Sequence, residues 1–323
     1  MKGTYKIRIQ NKRIRYEFEI KRNITILQGE SATGKTTLID MVREFEQNGV
    51  NSGIQLSCRK SCTVLEGKNW KVLLSVIRDS IVFIDEGNNF VKSKEFATVI
   101  QNSDNYYVIV TRESLPALPY SVSEIYGIRN SGKYGFLEQV YNELYPIYGV
   151  SRMTQESMPE IVITEDSNSG FQFFKAICEE DEIQCISAKG KSNVFGLVNQ
   201  RKEGTVLVIA DGAAFGAEIG KLYQLLKAEN GQLFQLYLPE SFEWLILSSN
   251  VLEDSEINII LTAPQDYIES CEYFSWEQFF THLLVEKTRD TYFKYEKGKI
   301  NEVYLHDQNR KKILNEINGI NFL

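Results

Sequence analysis

Residues 29 to 36 read Gly29-Glu30-Ser31-Ala32-Thr33-Gly34-Lys35-Thr36, a complete G-x-x-x-x-G-K-[ST] pattern. The apolar run Ile24-Thr25-Ile26-Leu27 precedes it, and the helix-like Thr37-Leu38-Ile39-Asp40-Met41-Val42 follows. A strand, a glycine turn and a helix start in that order leave little choice of fold. They turn backbone N–H groups and the positive end of a helix dipole towards one anion. The glycines let the backbone approach phosphate oxygens. Lys35 is placed to reach the β and γ phosphates, and the Thr36 hydroxyl suits Mg²⁺. The stretch predicts a nucleoside triphosphate site formed by Gly29, Glu30, Ser31, Ala32, Thr33, Gly34, Lys35, Thr36 and the adjoining Thr37.

The surrounding pattern predicts an α/β chain. Alternating runs at 5–9 and 14–20 read as an antiparallel hairpin. Continuous apolar runs at 80–84 and 106–110, separated by helical spacing at 94–101, read as buried strands of a parallel sheet. A polar stretch at 149–159 ending in Pro159 is the expected linker. Beyond it the alternation restarts, with strands at 161–164, 183–186, 206–210 and 233–238 and helices between them. From residue 267 aromatic and charged residues mix at helical spacing. With 323 residues, the expected division is 1–150, 158–265 and a helical tail over 266–323.

A second acidic strand end lies downstream of the glycine loop. Ile81-Val82-Phe83-Ile84 runs into Asp85 and Glu86. Asp85 is the expected Mg²⁺ ligand with Thr36, and Glu86 the group that activates a water; Lys35, Asp85 and Glu86 form the predicted catalytic set. Thr111 and Arg112 end the following strand. In the second half, acids again follow strands: Glu165 and Asp166, Asp211, then Glu240 and Glu243. Carboxylates gathered at one sheet edge suit a hard cation, so Glu165 and Asp211 are the expected metal ligands there.

Bulk properties narrow the classes. The net charge of −7 argues against a uniformly basic nucleic-acid binder, although cations cluster in residues 1–35 and 294–312. No apolar run approaches the roughly 18–20 residues of a membrane span. The start, Met1 to Lys6, carries no apolar leader, so a cytoplasmic protein without membrane contact is expected. Five scattered cysteines fit a reducing compartment, and the Cys58-x₃-Cys62 pair lacks the second pair that a zinc site needs. His282 and His306 stand alone.

The first 130 residues resemble the P-loop NTPases with Walker A and Walker B motifs and an additional catalytic strand; that class often places a sensor of the terminal phosphate where Thr111 and Arg112 stand, which the resemblance makes candidates for that role. Their N-terminal hairpin looks like that of ABC-type ATPases, but no L-S-G-G-Q-like signature and no switch histidine follow. A divergent ABC-like or AAA-like core is what the resemblance implies, with ATP and Mg²⁺ as cofactors and no motif separating ATP from GTP. Residues 158–250 resemble the Toprim domains attached to ATPases in overcoming-lysogenization-defect nucleases. Glu165 matches that family's general acid/base. Of its Asp-x-Asp only Asp211 is present, because Ala213 stands at the second position. The resemblance implies an ATP hydrolase controlling a nucleic-acid-directed domain, in phage defence or mobile-element biology, acting with a protein partner or as a homo-oligomer. The alternative is a nucleotide-dependent switch or scaffold whose Toprim-like domain is catalytically inactive.

Overall fold

The computed structural model describes residues 1–29, 33–132, 139–148, 158–201, 204–227 and 234–317. It is an α/β protein with one large mixed sheet and one smaller parallel sheet. The chain divides into two compact units, Met1–Gly149 with Ala263–Phe274, and Val150–Thr262 with Ser275–Leu323. Glu30, Ser31 and Ala32 of the glycine loop, and most of the expected linker, lie outside the described residues.

The first unit opens with β1 (Tyr5–Gln10), β2 (Ile14–Ile20) and β3 (Ile24–Leu27), followed by helix α1 (Lys35–Asn48). Then come β4 (Gln55–Ser57), β5 (Ser61–Val64), α2 (Trp70–Leu74), β6 (Ser80–Ile84), α3 (Lys94–Ile100) and β7 (Tyr106–Val110). Strands β8 (Ile125–Asn130) and β9 (Val140–Pro146) complete the sheet, whose order is β4-β1-β2-β9-β8-β3-β7-β6-β5. Neighbours from β8 to β5 run parallel. The rest is antiparallel except for the β2–β9 pair. The expected hairpin and the expected parallel sheet are thus one continuous mixed sheet.

Burial follows the residue pattern. Every residue of β3, β6 and β7 is buried, as expected for strands covered on both faces. In β1 the burial alternates, Tyr5, Ile7 and Ile9 facing the core. Helix α1 turns Leu38, Ile39, Met41 and Val42 inwards against that core. Segment 263–274 returns to this unit, where the Asn23 side-chain amide donates to the carbonyls of Ser270 (3.1 Å) and Tyr273 (3.0 Å).

The second unit contains β10 (Ile161–Thr164), α4 (Ser169–Glu180), β11 (Gln184–Ser187), α5 (Lys191–Asn199), β12 (Val206–Ile209), α6 (Gly216–Lys227) and β13 (Phe234–Tyr237). Its sheet is wholly parallel in the order β11-β10-β12-β13. Helices α7 (Phe242–Ser248), α8 (Ser255–Thr262), α9 (Trp276–Thr288) and α10 (Asp307–Asn315) follow. The sequence reading set residues 266–323 apart as a tail. In the structure, 263–274 belongs to the first unit and the described residues from Ser275 onward to the second. Phe280, Leu284, Tyr295 and Tyr304 are almost fully buried there.

Candidate functional site

In the first unit, strand register brings the sequence-predicted residues to one sheet edge. Leu27 of β3 pairs with Val110 of β7, and Ile109 pairs with Ile84 of β6. The three strands therefore end level, so Gly29, Thr111 with Arg112, and Asp85 with Glu86 emerge side by side. The strand ending in the acids is not adjacent to β3; β7 lies between them.

Gly29 and Gly34 have φ of +127° and +89°, values that L side chains rarely adopt. Gly34 caps α1, whose first turn has no side-chain cap and no acidic residue. Its leading N–H groups are thus offered to an anion. Lys35 is buried and folds back across the loop, its Nζ donating to the Gly29 carbonyl at 3.0 Å and the Thr33 hydroxyl at 2.8 Å. Burial lowers its pKa and Arg112 adds to that, while Glu86 opposes it. Thr36 and Thr37 are exposed at the start of the helix.

Asp85 is half-buried and its pKa is raised, chiefly by burial, with Asp40 of α1 adding to the rise. Its Oδ1 accepts the Glu86 N–H at 2.8 Å. The Glu86 side chain is exposed and pairs with Arg112, Nε to Oε1 at 2.8 Å. The Thr111 hydroxyl is engaged in its own turn, donating to the Glu113 carbonyl and accepting the Glu113 N–H. Of the two candidate sensors, Arg112 is the one in contact with an acid of the site.

In the second unit the strand order reverses between β10 and β12: β11 lies on the far side of β10, so the chain crosses back to reach β12. Open parallel sheets bind ligands at such a point, beyond the carboxyl ends of the strands. Glu165 follows β10 and Asp211 follows β12, and Glu165 Oε2 accepts the Asp211 N–H at 3.1 Å. With Asp166 they line a cavity of about 20 Å³, the size of one water molecule or ion. Burial pushes Glu165 up to about 7 and raises Asp166. Asp211 is raised well above the usual carboxylate range by burial, then by repulsion from Glu277, Glu243 and Glu165. The Asp211–Ala213 turn packs on the end of β13, with the Gly212 N–H donating to the Pro239 carbonyl at 2.6 Å. Ala213 is 2% exposed.

Sequence reasoning missed the contribution of the chain beyond residue 266. Glu277 on α9 pairs with Lys297 at 2.6 Å. Burial disfavours the charged form of Lys297, but Glu277, Glu243 and Asp211 outweigh that and raise its pKa. The Tyr295 hydroxyl donates to Glu243 Oε1 at 2.8 Å and contacts the Ser169 hydroxyl. Only the acids' placement after strands was visible in the sequence.

The clustered cations are largely paired. Lys6, Arg8 and Arg15 converge on Glu17 and hold it at about 2, while Lys294, Lys297 and Arg310 pair with Glu296, Glu277 and Glu180. Among the described residues, no group of three His, Cys, Asp or Glu side chains meets the spacing of a metal cluster. No helix among them is long and apolar enough to cross a membrane. No protein-family model matches the chain, and a search of curated proteins returns no match.

Proposed function

We propose that the first unit is a P-loop nucleotide hydrolase that takes ATP and Mg²⁺. The observation that carries this is the intervening β7. A strand in that position supports the reading, since the resemblance implies an additional strand, and its end carries Arg112 beside the Asp85–Glu86 pair. The residues fit the cofactors. The uncapped N-terminus of α1 and a lysine of lowered pKa suit a polyphosphate. The exposed Thr36 hydroxyl and Asp85, whose raised pKa marks a carboxylate short of positive charge, suit Mg²⁺. Bound there, Mg²⁺ supplies charge neutralisation on the phosphates. Glu86 is the base that orients and deprotonates water, once Arg112 gives up its ion pair or shifts towards phosphate.

For the second unit we propose a Toprim-like domain directed at nucleic acid, in which Glu165 and Asp211 supply two carboxylates to a divalent cation whose remaining ligands are water or substrate oxygens. Repulsion among partly buried carboxylates is what a cation relieves. A non-cleaving switch or scaffold is the second reading. It is favoured by the buried Ala213 and by Glu165 already accepting the Asp211 N–H.

Two experiments decide. Lys35→Ala and Glu86→Gln are expected to abolish Mg²⁺-dependent ATP hydrolysis, with Glu86→Gln still binding ATP. Full turnover in either variant rejects the hydrolase. DNA and RNA incubated with Mg²⁺ or Mn²⁺ test the second unit. Cleavage lost in both Glu165→Ala and Asp211→Ala supports the nuclease; none under any condition, with ATP turnover intact, supports the switch.

A further inference from the structure

The glycine loop is braced by a residue outside its own βα unit. Tyr16 lies on β2, in the antiparallel part of the sheet, and is 1% exposed. Its hydroxyl donates to the Gly34 carbonyl at 2.8 Å, and that carbonyl also accepts the Leu38 N–H at 3.0 Å, the first backbone bond of α1. Both bonds act on one peptide plane. The peptide joining residues 34 and 35 is planar and trans, so its C=O and its N–H point in opposite directions. Fixing the carbonyl with two donors therefore fixes the Lys35 N–H as well. That N–H is the first donor of α1, at the helix end that faces the phosphates in a phosphate loop.

The surroundings of Tyr16 agree with this arrangement. Burial raises the pKa of the phenol against the opposing effect of the neighbouring Asn142 and Thr37 side chains, so the hydroxyl stays protonated as a donor. Asn142 sits opposite Tyr16 in the β2–β9 register. A Cβ on Gly34 would lie 2.7 Å from the Tyr16 hydroxyl, so glycine and tyrosine fit as a matched pair.

We propose that Tyr16 is a positioning residue of the phosphate site, aiming the Lys35 N–H at bound phosphate and tying the antiparallel strands to the nucleotide. This rests on the reading of residues 29–36 as a phosphate loop. The test measures the affinity of Mg²⁺–ATP and of inorganic tripolyphosphate for the full chain, Tyr16→Phe and Lys35→Ala, with the ligand-free melting temperature of each. Tyr16→Phe keeps the buried ring and removes one hydrogen bond. It is expected to weaken both ligands equally, by about fivefold, equivalent to about 1 kcal/mol. A merely structural tyrosine would lower the melting temperature and leave both affinities unchanged, which overturns the proposal. Weakening of ATP but not of tripolyphosphate also overturns it, since the tyrosine would then act on the nucleoside. If Lys35→Ala leaves both affinities intact, the phosphate-loop reading itself fails.

Discussion

At Gly34 the backbone and its neighbours reject a side chain for separate reasons. Its φ of +89° costs an L residue about 1–2 kcal/mol, and a Cβ would collide with the Tyr16 hydroxyl. Gly34→Ala is expected to weaken Mg²⁺–ATP binding at least about tenfold, the equivalent of about 1.4 kcal/mol, in a nucleotide titration. Unchanged affinity would show that the loop tolerates another geometry. Glu165 makes a prediction of opposite electrostatic character. Its pKa in the fold is about 7, against the model-peptide value near 4.3. Between these values the folded state binds more protons than the unfolded one, so stability falls as pH rises from about 4.3 to about 7. A cation on these carboxylates should therefore stabilise the protein more at pH 8 than at pH 5. In the absence of nucleotide, Mn²⁺ is expected to raise the melting temperature at pH 8 by roughly 2–4 °C or more, the shift that 1 kcal/mol gives in a unit of this size. Asp211→Asn should erase that rise, and an equal shift at both pH values would contradict it.

At the scale of elements, β6 separates stability from chemistry within a few residues. Phe83 is fully buried, and Phe83→Ala is expected to cost about 3–5 kcal/mol in urea unfolding. Glu86, exposed beyond the end of the same strand, should change unfolding by no more than about 0.5 kcal/mol when replaced by Gln, while hydrolysis is lost. Strands such as β6 and β7 were legible because a strand covered on both faces needs a continuous apolar run. Strand β5, Ser61-Cys62-Thr63-Val64, was not read, since at the sheet edge half-buried polar residues suffice. Strands β8 and β9 also escaped. Residues 140–146 are only partly buried or exposed, so Tyr, Asn and Glu are tolerated there and the apolar signal disappears. Helix α7 carried a signal that went unused: Ser241 caps it, accepting the Trp244 N–H at 3.1 Å.

For the whole molecule, residues 266–317 matter more than their sequence suggested. Ending the chain after residue 265 removes Phe280, Glu277, Tyr295 and Lys297 from the second unit, and the acceptors of Asn23 from the first. Such a truncation is expected to lose near-ultraviolet circular dichroism and cooperative melting of the second unit; a melting curve like that of the full chain would refute this. The same contrast divides the candidate sites. The glycine-loop pattern at 29–36, the Asp85–Glu86 strand end and the acids after β10 and β12 follow from the sequence alone, because each is a local pattern of turn chemistry and apolar spacing. The placement of β7 between β3 and β6, the reach of Tyr16 to Gly34 and the convergence of Glu277 and Lys297 near Asp211 came only with the tertiary structure. Those depend on pairing and packing between residues distant in the chain, and no local spacing encodes which distant segment fills a given gap.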